Sequence, residues 1–202
     1  MSFTENNMLT QLVVILSAYA LGCIAVGYYL VRGRTGQDLR EVGSGATGGR
    51  NAGRALGRGG AIITGVGDVL KGVVAMAIAL WFELEPWALA CVMVAVLAGH
   101  VYPIQLGFKG GKGLSAAFGA VLMFDYRIAI LTALLALLLL FVSRRNEIFF
   151  LMGIACCPII AFALGQRAEI VAGMAVVAFI ILLAHRGNIG MAIKTESNEK
   201  GL

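Results

Sequence analysis

The sequence predicts an all-α integral membrane protein with seven transmembrane helices, two or three of them short. Three observations carry that expectation. Of 202 residues, 59% are hydrophobic and only 13% charged, about half the charged share of an ordinary soluble domain. Uncharged stretches approaching the 20 or so residues that cross a bilayer recur along the chain, and basic residues gather in the segments between them. Disorder, collagen-like repeats and a disulfide scaffold are excluded by the same composition.

The elements follow in order. Residues 1–7 lack the basic n-region of a signal peptide, and no small-residue cleavage site follows, so the first apolar stretch is expected to stay. It is free of charge between Glu5 and Arg32 and gives a helix over 8–31. A second helix, 61–82, carries Asp68 and Lys71; a third, 86–106, lies between Glu85 and Lys109. Residues 114–124 and 128–143 are short apolar segments, 148–166 is a clear span, and 170–184 is short again. The sequence Asp125-Tyr126-Arg127 could break 114–143 into a hairpin or lie inside one helix. The excess of Lys and Arg in cytoplasmic loops favours the hairpin. With seven spans, an outer N-terminus and a cytoplasmic C-terminus, thirteen of the sixteen basic residues fall on the inside. Merging the hairpin would send Arg144, Arg145, Arg186, Lys194 and Lys200 outside. No internal repeat is visible, so the chain is expected to form a single polytopic domain over 1–202, without the inverted repeats of many transporters. The four cysteines (Cys23, Cys91, Cys156, Cys157) sit in apolar stretches and read as small hydrophobes.

Three polar, glycine-containing stretches (43–58, 99–113, 185–196) end on the same expected face. The first, GSGATGGRNAGR from Gly43 to Arg54, contains Gly43, Gly45 and Gly48 in a formal G-x-G-x-x-G. No strand precedes it, so dinucleotide binding fails its context test. Its glycines are instead expected to aim backbone amides into an anion nest. Arg50 and Arg54 follow at i, i+4 and would share a face if helical, with the fork geometry suited to phosphate. The second, Gly99-His100-Val101-Tyr102-Pro103 with Phe108-Lys109-Gly110-Gly111-Lys112-Gly113, sets two lysines around a Gly-Gly pair, a second expected phosphate cradle. It is no Walker A loop, because Leu106 and Gly113 stand where that motif needs Gly and Ser/Thr. The third, His185-Arg186-Gly187-Asn188-Ile189, closes the last helix. His185 there could be a base, a phosphate donor or a helix C-terminal cation. Asp68 and Lys71, at i, i+3 inside the membrane, are functional or site-supporting by default. No G-x-S-x-G elbow and no His-x4-Asp pattern occurs, and two histidines without an acidic cluster give no metal centre.

On these residues the chain resembles the bacterial acyl-phosphate:glycerol-3-phosphate acyltransferases, the PlsY family, over nearly its whole length. A GSGNxGxxNxxR motif is matched at Gly43, Ser44, Gly45, Gly48, Asn51 and Arg54, and D-x-x-K-G at Asp68, Lys71 and Gly72. GHxxPxxxxFKGGKG is matched at Gly99, His100, Pro103 and Phe108 to Gly113, and H-R-x-N-I at His185, Arg186, Asn188 and Ile189. The chain departs from the pattern at Ala46, Thr47, Arg50, Ala116, Gly187 and Met191.

The resemblance implies transfer of a fatty acyl group from acyl phosphate to glycerol 3-phosphate, giving lysophosphatidic acid at the cytoplasmic face of a bacterial inner membrane. Neither cofactor nor metal is implied, and the expected partners are the two substrates and membrane lipid, not nucleic acid. Ser44, His185 and Lys112 are the candidate catalytic residues. Gly43, Gly45, Gly48, Arg50, Asn51, Arg54, His100, Lys109, Gly110, Gly111 and Asn188 are candidates for substrate and phosphate binding, with Asp68 and Lys71 in support. The departures leave open a family member that uses another phosphorylated acceptor or is inactive. A transporter of small phosphorylated anions would use the same basic loops but needs polar residues along a continuous path, and only Asp68 and Lys71 lie at depth.

Overall fold

The computed structural model describes residues 8–143 and 146–187, and among these the regular structure is helical throughout. In chain order the α-helices are α1 Met8–Gly22, α2 Val26–Thr35, α3 Gly49–Trp81, α4 Pro86–Val101, α5 Leu114–Phe124, α6 Tyr126–Ser143, α7 Asn146–Ala155, α8 Cys157–Ala163 and α9 Ala168–Ala184. They group into the seven expected apolar segments. Three, Met8–Thr35, Gly49–Trp81 and Pro86–Leu106, are long and apolar enough to cross a membrane, and four are shorter. At 1.5 Å per residue, the 11-residue α5 covers little more than half of a 30 Å hydrocarbon core.

The apolar core centres on α4, where Val92, Met93, Val96 and Leu97 pack with Met76 of α3 and with Ile170, Met174 and Val177 of α9. Asp125 separates α5 from α6 and caps the turn, its Oδ1 accepting from the Arg127 backbone N–H at 3.0 Å. The 114–143 segment is therefore two helices, packed against each other, with the break at Asp125. Gln166 donates to Asp125 Oδ2 at 3.0 Å, tying the α8–α9 connection to that turn at one end of the molecule.

Three expected helices have different shapes. The first span breaks at 23–25, splitting into α1 and α2. The 148–166 span breaks at Cys156, where Pro158 near the start of α8 has no N–H to continue the ladder. The helix expected to start at 61 starts at Gly49 instead, and Gly57 (φ 70°, ψ −165°) bends it sharply. Residues 49–56 fold back along the rest of α3, bringing Gly49 and Gly53 against Ala61. A turn with that φ, and with the amide direction its ψ imposes, is open to glycine and strained for other residues.

Candidate functional site

The fold-back of α3 carries Arg50 and Arg54 toward the loop that precedes α5. The backbone N–H of Thr47 donates to Gly110 O at 3.3 Å, joining the first and second motifs directly. Lys112 feels the charges of both Arg50 and Arg54, and His185 those of Lys112 and Arg50. Four of the predicted cationic residues, from three separated stretches, thus share one end of the bundle, opposite the Asp125–Gln166 end. Burial, reinforced by Arg50 and Arg54, holds the Lys112 ammonium below the ordinary lysine value. Burial likewise holds His185 below the ordinary histidine value; its hydrogen bond to Ile181 opposes this, and Lys112 and Arg50 add to it. Nδ1 of His185 lies 2.8 Å from Ile181 O. A carbonyl only accepts, so Nδ1 carries the proton and the neutral ring keeps its lone pair on Nε2.

Asn51 organises the first motif from within. Its Nδ2 lies 2.8–3.0 Å from the carbonyls of Leu39, Val42 and Ala46, and its Oδ1 accepts from Ser44 N–H (3.1 Å) and Arg54 Nη1 (3.2 Å). Only 1% of its surface is exposed, and in this arrangement Asn51 shapes the loop and holds the Arg54 guanidinium. Several amides of the two glycine-rich loops are likewise engaged within the chain. Ser44 N–H serves Asn51, Gly45 N–H donates to Val42 O, Gly110 N–H to Val101 O and Gly111 N–H to His100 O. These four amides are spent within the chain. Ser44 and Lys109 are exposed at this end, while Asn188 lies outside the described residues.

His100 lies buried behind the cradle with 5% exposure. Its Nδ1 is 3.5 Å from Asp68 Oδ1, and the Lys71 ammonium is 3.0 Å from the same oxygen. Lys71 also donates to Gly22 O and Ile24 O, each at 3.0 Å, and Gln105 donates to Cys23 O. The carbonyls released where α1 gives way to α2 are therefore met by side chains. Lys71 is engaged on three sides, which leaves little for an anion-conducting path.

Sequence reasoning missed Arg40 and Gln105. Arg40 pairs with Asp38, holding that carboxyl at about pKa 2, lies over the Tyr28 ring and donates to Leu106 O at 2.9 Å, fastening the first loop to the second. Neither residue has a spacing signal; a lone Gln between apolar residues is the most the sequence offers.

An apolar cavity of about 340 Å³ opens beside the cations. Leu114 and Ser115, just after Lys112, line it at one end together with Ile181, one helical turn before His185. Val121, Ala129, Cys157 and Val177 line it further along. Phe118 and Leu137, both exposed on the bundle surface, also line it.

The family model described as glycerol-3-phosphate acyltransferase matches residues 12–195. Glycerol-3-phosphate acyltransferase 1 of Desulfitobacterium hafniense (strain Y51) is 41% identical over 190 residues, covering 94% of each chain. The Geobacter sulfurreducens glycerol-3-phosphate acyltransferase is 38% identical over 185 residues, 90% of this chain and 93% of that one. Among solved structures, the glycerol 3-phosphate form of PlsY (YgiH), an integral membrane glycerol 3-phosphate acyltransferase, superposes with a TM-score of 0.84 at 30% identity. It covers 92% of this chain and 93% of that one.

Proposed function

The chain belongs to the glycerol-3-phosphate acyltransferase family, and from that premise we propose that it transfers a fatty acyl group from acyl phosphate to glycerol 3-phosphate within the membrane. The observation that carries the reading is the convergence of Arg50, Arg54, Lys112 and His185 beside an apolar cavity. Both substrates bear a phosphate and one bears a long apolar chain, and this end of the molecule offers partners for each. Arginine forks and a lysine suit phosphate oxygens. A cavity lined almost wholly by apolar side chains suits the part of the acyl chain next to the reacting carbonyl.

In the reaction the 1-hydroxyl oxygen of glycerol 3-phosphate attacks the carbonyl carbon of the mixed anhydride. The new ester C–O bond forms and the bond from that carbon to the phosphate oxygen breaks. Inorganic phosphate departs with the hydroxyl proton, and lysophosphatidic acid is the product. Lys112 and Arg50 stabilise the negative charge that grows on the leaving phosphate, Arg54 holds the acceptor phosphate, and neutral His185 orients the hydroxyl by accepting its hydrogen bond at Nε2. The exposed Ser44 hydroxyl and Lys109 ammonium border the same end as further donors. Because the leaving group is already good, positioning and charge supply most of the acceleration, and no covalent enzyme intermediate is needed. The concentration of basic residues at this end supports a site facing the cytoplasm from a bacterial inner membrane.

The direct test supplies purified protein with acyl phosphate, acyl-CoA or acyl carrier protein donors and labelled glycerol 3-phosphate. Labelled lysophosphatidic acid from acyl phosphate alone is expected. Labelling from acyl-CoA or acyl carrier protein instead would overturn the donor assignment.

A further inference from the structure

Beneath the surface cations lies a buried polar group to which the proposed reaction gives no step. Asp68, Lys71 and His100 are at most 6% exposed. Lys71 secures Asp68 by an ion pair at 3.0 Å and is itself fixed by the Gly22 and Ile24 carbonyls. Asp68 faces His100 Nδ1 at 3.5 Å. The other ring nitrogen, Nε2, lies against Gly111, so close that a Cβ at position 111 would overlap the imidazole ring. Gly111 in turn is bound through its N–H to the His100 carbonyl at 3.0 Å, and Gly110 to Val101 O at 3.0 Å. The next residue is Lys112.

Resting on the acyl-transfer reading above, we propose that Asp68 and His100 are positioning residues for Lys112, acting through the packing of the imidazole against Gly111 rather than by contact with substrate. The physical reason is stiffness. A Gly-Gly segment has more backbone freedom than any other dipeptide, and a lysine that must meet a phosphate within a fraction of an ångström gains from a rigid support. An imidazole packed beside a carboxylate at 3.5 Å, the carboxylate itself held by a triply engaged ammonium, supplies a flat wall that only glycine can approach. In this arrangement the glycine is required by the histidine, and the two positions are coupled sterically.

That coupling makes the inference testable by size exchange. Gly111→Ala alone forces a methyl group into the imidazole and is expected to lower transfer activity at least a hundredfold. His100→Ala alone removes the wall and is expected to raise the KM of one phosphorylated substrate about tenfold while kcat changes less than threefold. Asp68→Asn should raise the same KM by a smaller factor. The His100→Ala/Gly111→Ala double variant, with room for the methyl group, should recover at least tenfold over Gly111→Ala. A double variant no better than Gly111→Ala, or losses that simply multiply, overturns the proposal, because residues in steric contact do not act independently. So does a His100→Ala variant that loses kcat together with one limb of its pH profile, the mark of proton transfer. If Gly111→Ala does not fold, the KM shifts of His100→Ala and Asp68→Asn decide, and unchanged KM values overturn it. A parent protein without acyl-phosphate-dependent transfer would instead overturn the functional reading, so the two failures are distinguishable.

Discussion

Arg50 stands outside the family pattern, yet its charge reaches both Lys112 and His185. Arg50 and Arg54 both repel the Lys112 ammonium, and a bound phosphate relieves that repulsion. Arg50→Ala and Lys112→Ala are each expected to lower kcat/KM at least tenfold, about 1.4 kcal/mol of transition-state stabilisation. The double variant should lose less than the product of the two, since both side chains address one phosphate; steady-state kinetics on the four proteins checks this, and strict multiplication would separate the two roles. His185 gives a pH prediction with a definite sign. Its pKa is lowered, so the neutral acceptor persists on acidification beyond the point where an ordinary histidine titrates, and kcat/KM should fall only below that point. The limb should vanish in His185→Gln; a limb that persists there belongs to the substrate phosphate. At this scale the sequence was legible where chemistry needs charge. The converging side chains of Arg50, Arg54, Lys112 and His185 could be read from motif and spacing, whereas the burial of Asn51 and His100 could not, because a polar side chain in a motif looks the same whether it faces a ligand or holds the loop.

Among the elements, α3 shows most clearly what periodicity misses. Residues 43–58 look like one glycine-rich loop, but Gly49–Leu56 form a helical turn-back whose stability comes from contact with Ala61, a tertiary cause with no local signature. The break between α1 and α2 is similar: nothing in Gly22-Cys23-Ile24-Ala25 stops a helix, and the partners that make the break tolerable, Lys71 and Gln105, lie 49 and 82 residues away. Conversely, the turn at Asp125 was legible because short apolar runs and charge placement agree there. Gly57 offers a direct test of the turn-back. Nothing lies within 4 Å of the place a Cβ would occupy, so Gly57→Ala carries a purely conformational cost of about 1–3 kcal/mol. A lower thermal midpoint is expected, together with an activity loss larger than that shift explains, since Arg50 and Arg54 move with the turn. Full activity in Gly57→Ala would show that the turn-back does not position them.

For the whole molecule, the two ends are chemically distinct. Arg50, Arg54, Lys112 and His185 gather at one, and Asp125, Arg127 and Gln166 at the other, where Arg127 is paired with Asp125 at 2.7 Å. Thirteen of the sixteen basic residues belong to the first end if the 144–145 and 188–202 segments join it, with Arg127 and Arg167 at the opposite end and Lys71 within the bundle. The orientation proposed above, with the cation-rich end toward the cytoplasm, would let soluble glycerol 3-phosphate reach it while the acyl donor stays in the bilayer. Single cysteines at positions 47, 110, 145 and 195, in a background with Cys23, Cys91, Cys156 and Cys157 replaced, are expected to react with an impermeant maleimide only from the cytoplasmic side. The pair 47 and 110 tests orientation alone, because the Thr47–Gly110 hydrogen bond already fixes them to one end. The pair 145 and 195 tests something separate, the number of crossings after α5. If 145 labels from outside while 47 labels from inside, α6 ends at the far face, and the fold-back that lines the cavity with α5 and α6 together could not form. Since that cavity and the cation cluster meet beside Lys112, the same result would remove the route by which an acyl chain in the membrane meets a phosphate in the cytoplasm.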